Sequence, residues 1–192
     1  MSVIPLRSPQ QWSDEQIKLT AVKNRRVAIN LLIEKYRQPL LRHALYILRD
    51  QDDAYDIVQE TFVRAIRETR LFEQDFRIKA WLFRVAKNLC LNQLRNSSRR
   101  AAILQANPMP DRQEAEQWKH LFDGEQSILM MATLDKLGED HREILILRYY
   151  DELSYTEIAQ VLDIKLGTVM SRLSRARTKL LDVLPPEFTA DR

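Results

Sequence analysis

Glycine is scarce, with three residues (Gly124, Gly138, Gly167) in a chain of 192. That is too few for the tight turns of a hairpin-rich all-β fold. Neither GxGxxG nor GxxxxGK(S/T) occurs, which excludes the usual glycine-rich phosphate cradles. Cysteine occurs once: Cys90 cannot close a disulfide within the chain, and it falls in an apolar helical pattern. It reads as a packed thiol in a reducing compartment. No run of about 18 apolar residues is present, and the opening MSVIPLRSPQQWSDEQ lacks the apolar stretch of a signal peptide. The expectation is a cytoplasmic protein with no membrane insertion.

What the chain does have is charge, sorted by sign. It is 45% hydrophobic and 30% charged, with a formal net charge of +3. Asp50, Asp52, Asp53, Asp56 and Glu60 crowd into residues 50–60 without a base. Residues 77–100 hold Arg77, Lys79, Arg84, Lys87, Arg95, Arg99 and Arg100 without an acid, and 165–179 hold Lys165, Arg172, Arg175, Arg177 and Lys179 without an acid. One such basic run is usually a solvated helix face. Two, on well-defined helices, point to a polyanionic partner.

Apolar periodicity places these runs on helices. After a loose tail with Pro5 and Pro9, Ser13 and Gln16 form a capping-box pattern that opens a helix to about Val22, so tail and first helix occupy 1–23. Residues 26–48 carry Val27, Leu31, Leu32, Leu40, Leu41, Leu45 and Leu48 at helical spacing, with Pro39 interrupting or kinking the run. A helix over 52–69 buries Ala54, Ile57, Val58, Phe62, Ala65 and Ile66, and 70–78 is a loop. The next helix, 79–97, has an apolar stripe of Trp81, Leu82, Val85, Ala86, Leu89 and Leu94, with Trp81 in the core. A polar linker with Pro108 and Pro110 spans 98–125; its Trp118, Leu121 and Phe122 suggest a docked helical piece. A second helical unit fills 126–184 before the tail 185–192. The fold class is all-α: two small helical domains, 24–97 and 126–184, joined by a linker, the C-terminal one a helix-turn-helix.

The helix-turn-helix is the strongest local signal. Ser154 and Glu157 make a capping box, and the helix they open buries Ile158, Ala159 and Leu162, with Ala159 small where a second helix crosses. Residues 163–166 form the corner, plugged by Ile164, and the next helix buries Val169, Leu173, Ala176 and Leu180. Its opposite face displays Met170, Ser171, Ser174, Arg175 and Lys179, flanked by Arg172 and Arg177. A basic helix after a tight helical corner is the geometry that enters the DNA major groove, where Arg175 suits guanine and Lys179 a phosphate. An ordinary helical hairpin with a solvated basic face is the alternative, but it leaves the coincidence of cap, small residue, corner apolar and clean face unexplained.

LDKLGEDHREILILRYYDELSYTEIAQVLDIKLGTVMSRLSRARTKL (134–180) resembles the C-terminal domain of bacterial sigma factors of the extracytoplasmic-function (ECF) group. Independently, DDAYDIVQETFVRAIR (52–67) resembles the acidic helix of sigma domain 2, and KAWLFRVAKNLCLNQLR (79–95) its promoter-melting helix. The resemblance covers roughly 24–97 and 126–183 in the expected order. It implies a promoter-specificity subunit of RNA polymerase, without covalent chemistry or cofactor. Asp53, Asp56, Gln59 and Glu60 are implied to bind core polymerase at the β′ coiled coil. Phe72, Phe76, Arg77, Lys79, Arg84, Lys87, Asn88 and Asn92 are implied to hold the melted non-template strand of the −10 region. There the cations follow phosphates, the amides of Asn88 and Asn92 address an unstacked base, and the two rings flank it. Lys165, Thr168, Met170, Ser171, Arg172, Ser174, Arg175 and Lys179 are implied to read the −35 duplex while this domain sits on the β flap. An anti-sigma factor is a further implied partner, since the long N-terminal autoinhibitory region of primary sigma factors is not seen.

Some residues depart from the family pattern. Tyr55 stands where a further acid is typical, Asn24-Arg25 replaces a frequent Gly-Asp, Met170 replaces a basic residue, and Lys165 holds a cap position often Ser or Pro. Met170 is expected to alter sequence preference without abolishing binding. Two other readings compete. An autonomous two-domain DNA-binding regulator leaves the acidic 50–60 face without a use. A metal-dependent nuclease needs the 52–60 carboxylates to converge, yet they diverge along one helix and none of the histidines (43, 120, 141) is near in sequence.

Overall fold

A computed structural model describes residues 12–103 and 125–185. The chain divides into two compact units, Met1–Arg99 and Arg100–Arg192. The described residues form helices and connecting turns without a strand, as the composition implies. None of these helices is long and apolar enough to cross a membrane.

The first unit is built from α1 (Asp14–Lys23), α2 (Arg25–Leu48), α3 (Gln51–Arg67) and α4 (Ile78–Ile103). Ser13 caps α1 with both bonds of the capping box in place. Asn24 then ends α1 and starts α2 at once, its side chain accepting from the amide of Val27. That shared cap turns the chain sharply and packs α1 on α2. Asp14 reinforces the pair: one carboxylate oxygen accepts from Lys35 Nζ and from the Tyr36 hydroxyl, both at 2.6 Å.

Of the two expected effects of Pro39, interruption or a kink, the first does not occur: α2 runs as one helix from Arg25 to Leu48. Leu32 and Tyr36 before the proline, and Leu40, Leu41, Ala44 and Leu45 after it, are all buried. At about 1.5–3 kcal/mol per fully buried leucine, this burial outweighs the one backbone bond that proline removes. α3 presents Ala54, Ile57, Val58, Phe62 and Ala65 to the core, whereas Ile66, expected there, is 51% exposed.

On α4 the core stripe is Ile78, Leu82, Phe83, Ala86 and Cys90, rotated from the expected one. Phe83 is fully buried and meets His43 of α2 edge-on, ring centroids 5.2 Å apart. Trp81, expected in the core, is only half-buried, because the buried face of α4 is centred on Leu82, Ala86 and Cys90 and leaves Trp81 at its margin. α4 also runs on through Ile103, beyond the expected end at 97. The residues Trp118, Leu121 and Phe122 lie outside those described.

The second unit holds α5 (Glu125–Leu134), α6 (Glu139–Tyr149), α7 (Tyr155–Leu162) and α8 (Leu166–Val183). α8 packs on α5, α6 and α7. Ile144, Leu145, Ile146 and Leu147 of α6, Leu153, and Val169, Leu173 and Ala176 of α8 make the core. In α7 the buried pair is Ile158 and Val161, while Ala159 and Leu162 are half-buried. With eight residues, α7 has room for one narrow core-facing stripe, and Val161 rather than Leu162 completes it. Leu180, also expected in the core, is half-buried. An apolar hollow of about 430 Å³ lies beside it, lined by Met130, Leu134, Leu145, Tyr149 and Leu181 among others.

Candidate nucleic-acid interface

Two exposed faces stand out, one on each unit. On α4, Arg84, Asn88 and Asn92 are exposed and recur every four residues, so they form one stripe. None of the three has a polar partner among the described residues, so their donors and acceptors are available to a ligand. Lys79 and Lys87, on the same helix, are half-buried. Arg77 is exposed immediately before the helix begins.

The loop leading into α4 is compact. Leu71 is fully buried and pins it inward. Arg70 donates to Glu73 at 2.8 Å and lies 3.8 Å from Asp75; the Glu73 hydrogen bond and charge, then Asp75, hold its guanidinium further toward the charged form. The aromatic pair expected to flank a base is already engaged. Phe76 meets Trp81 at 5.9 Å between centroids, tilted by 52°, and the Arg25 guanidinium stands 5.1 Å from the Phe72 centroid. Phe72 and Phe76 are each half-buried. Trp81 is therefore part of the aromatic surface beside Phe76, a placement its alignment with Val85 had concealed.

Of the four acidic-helix residues, Asp56 and Gln59 are exposed on a common stripe of α3. Asp53 turns instead toward α4, accepting from Gln93 Nε2 at 2.9 Å, and Glu60 pairs with Arg64 at 2.8 Å. The stripe continues through Val63 and Ile66, 37% and 51% exposed, which sequence periodicity had assigned to the core or passed over. The stripe thus has acidic and amide side chains at one end and bare apolar side chains at the other. Tyr55 is half-buried.

On the second unit, the corner between α7 and α8 is tightly made. Ser154 and Glu157 form both capping-box bonds. Asp163 ends α7 in the left-handed conformation (φ 55°), and the amide of Ile164 reaches back to the Ala159 carbonyl at 3.0 Å. Lys165 caps α8 without a side-chain bond and is exposed. Beyond it Thr168, Met170, Ser171, Ser174, Arg175 and Lys179 are exposed together. Arg175 and Lys179 have no polar partner among the described residues. The two flanking arginines do: Arg172 is half-buried and reaches Asp140 at 3.5 Å, and Arg177 donates to the Tyr155 hydroxyl at 3.1 Å. Arg172 thus links α8 to α6. Ser171 likewise donates to the Thr168 carbonyl at 3.1 Å.

Known proteins share this arrangement. Residues 32–100 match the family described as Sigma-70 region 2, and residues 127–180 the one described as Sigma-70, region 4. The two matches, one in each unit and in this order, place the chain among the RNA polymerase sigma factors. The ECF RNA polymerase sigma-E factor of Escherichia coli K12 is 31% identical over 192 residues, 92% of this chain and 97% of that protein. The RNA polymerase sigma-H factor of Pseudomonas aeruginosa is 29% identical over 193 residues, 92% of this chain and 96% of that protein.

Among solved structures, CnrH in complex with the cytosolic domain of CnrY shares the fold: TM-score 0.61, 24% identity, over 93% of this chain and 99% of that one. The sigma factor RpoE in complex with the anti-sigma factor NepR from Bartonella quintana aligns at TM-score 0.59 and 26% identity, over 80% of this chain and 91% of that one. The chain belongs to the ECF RNA polymerase sigma factors. It is an alternative sigma factor of this non-catalytic family, binding core RNA polymerase and directing it to promoter DNA.

Proposed function

We propose a division of labour among the three surfaces. The α8 face reads the −35 duplex from the major groove, with Arg175 addressing a base edge and Lys179, Lys165 and Thr168 the backbone. Met170, 55% exposed in mid-face, meets the groove as an apolar side chain and favours contact with a thymine methyl over a hydrogen bond. The loop 68–77 and the α4 stripe of Arg84, Asn88 and Asn92 hold the melted non-template strand at −10. Capturing extruded bases there offsets the cost of opening the duplex, and it is how the protein assists melting.

Asp56 and Gln59, with Val63 and Ile66, dock on the β′ coiled coil. Asp53 supports this face through Gln93, and Glu60 through Arg64. The apolar hollow beside Tyr149 and Leu181 suits an apolar element of the β flap. The protein works in the cytoplasm, and an anti-sigma factor covering one of these faces is the natural means of silencing it; the likeness to the Bartonella quintana complex supports that partner.

The observation that carries this reading is the availability of Arg84, Asn88 and Asn92 on one unit and of Arg175 and Lys179 on the other. In each set charged or amide groups lie exposed, in line and unspent on the protein itself. The test is run-off transcription by purified core polymerase on promoters selected from a randomised pool. Specific initiation is expected only with this protein present. Equal initiation without it, together with no detectable binding to core, overturns the reading.

A further inference from the structure

Two cations of the N-terminal helices, outside both basic runs, reach the loop that carries Phe72 and Phe76. Arg25 is the first residue of α2. Its Nη2 donates to the carbonyl of Ile66 at 3.3 Å and to that of Glu68 at 2.8 Å, where α3 gives way to the loop. Carbonyls at a helix end have no intrahelical partner, and a cation beside them also answers the negative end of the helix dipole. The same guanidinium covers one side of Phe72, 5.1 Å from its centroid, within cation–π range. Further along, Lys18 Nζ of α1 donates to the Gln74 carbonyl at 2.9 Å. With Leu71 buried beneath, the loop is fixed at its start, its middle and its underside.

We infer that Arg25, assisted by Lys18, is a positioning residue for base capture. It holds the α3 end of the loop and the ring of Phe72 in the conformation that receives an extruded base. Because the guanidinium occupies one face of Phe72, a base stacks on the opposite face only, which restricts the orientation in which it enters. A loop already ordered loses less entropy when the strand binds. The role rests on the assignment of loop and α4 to the melted strand, and it deepens that assignment. It also gives a use to Arg25, one of the residues that departs from the family pattern.

The test uses holoenzyme reconstituted from core polymerase and the full chain. The probes are labelled single strands bearing the non-template −10 sequence of a promoter selected with the wild-type protein, and their variants at each base. Arg25→Ala is expected to weaken single-strand binding about fivefold, the lower end of the loss of one base–aromatic stack, and to narrow discrimination at the captured base. Affinity for core and for −35 duplex stays at the wild-type level. Arg25→Lys, which keeps the charge and one donor to the carbonyls, restores most of the loss. Lys18→Ala moves the same readouts in the same direction by less.

Wild-type capture and discrimination in Arg25→Ala overturn the inference, as does a matching loss of core affinity, which marks a general defect of the first unit. Asn88→Ala run in parallel separates the two failures. If Asn88→Ala is impaired and Arg25→Ala is not, only the positioning role falls; if neither is impaired, the assignment of the melted strand falls with it. Should Arg25→Ala fail to fold, Lys18→Ala decides on the same readouts.

Discussion

Asn88 and Arg175 are both exposed, so each meets water until nucleic acid displaces it. Their chemistry suits different targets. An amide offers a donor and an acceptor to an unstacked base, while a guanidinium forks onto the guanine edge in an intact groove. Arg175→Ala is expected to weaken −35 duplex binding by about 1–3 kcal/mol and to leave single-strand capture unchanged. Asn88→Ala is expected to do the reverse. Anisotropy titrations of each variant against duplex and single-strand probes check both, and exchanged phenotypes refute the division. Cys90 sits at the other extreme. Burial pushes its thiol from an ordinary 9.0 up to about 12, with the charge of Asp53 adding to the shift. The folded protein therefore holds the proton that the unfolded chain releases, so this residue's contribution to stability is intact below pH 9 and declines as pH rises toward 12. Alkylation by iodoacetamide at pH 8 should accordingly be slow in the native state and rapid in urea. Of these three residues, the exposure of Arg175 followed from helical spacing and the burial of Cys90 from its apolar surroundings in sequence, while Asn88 was singled out by the family resemblance. That Phe83 and not Trp81 fills the core did not follow from spacing, because the two project from nearly opposite sides of α4 and only the packing of the other helices, His43 among them, decides which side turns inward.

At the scale of elements, local chemistry accounts for where the helices begin. Ser13, Asn24, Asp50 and Ser154 each accept, on a side-chain oxygen, a hydrogen bond from a free amide of the following helix. The corner between α7 and α8 depends on Asp163 in the left-handed region, which Asp tolerates better than branched residues and Gly best. Asp163→Val is expected to destabilise the second unit by about 1–2 kcal/mol and to lower duplex affinity with it, since a loosened corner misdirects α8. Asp163→Gly should keep both near wild type; thermal unfolding followed by circular dichroism, with the duplex titration, checks the pair. The behaviour of Pro39 was not legible locally. Proline removes a backbone bond whatever surrounds it, and the buried leucines on either side that keep α2 helical across it act through packing with other helices. The extra length of α4 escaped for the converse reason: its last residues include arginines and alanines that favour helix, yet show no apolar stripe to read.

For the molecule as a whole, the sorting of charge matters more than the net of +3. An acidic α3 face and two basic faces give one chain surfaces of opposite sign, and in the proposed division of labour docking on polymerase and docking on DNA use different ones. Asp56→Lys is expected to weaken binding to core about tenfold or more, as charge complementarity becomes repulsion, without changing which promoters the surviving holoenzyme selects. Competition against wild-type protein for limiting core, followed by sequencing of the transcripts, measures both. The mutant's deficit should shrink as salt rises, since exposed charges are screened beyond about 8–10 Å at physiological ionic strength.

The order of helices, the helix-turn-helix and its basic face, the acidic stretch and the family itself were determined by sequence alone. These depend on spacing, on caps and on runs of like charge, all properties of neighbours along the chain. Tertiary structure decided how the charged and aromatic groups are spent. It committed Asp53 to Gln93, Glu60 to Arg64 in the α3 face, Arg172 to Asp140 and Arg177 to Tyr155, and left Arg175 and Lys179 exposed. It exposed Val63 and Ile66, turned Trp81 onto Phe76, and brought Arg25 across to the end of α3 and the face of Phe72. A side chain's partner is fixed by which helices cross and at what rotation, and that is set by packing between segments far apart in sequence.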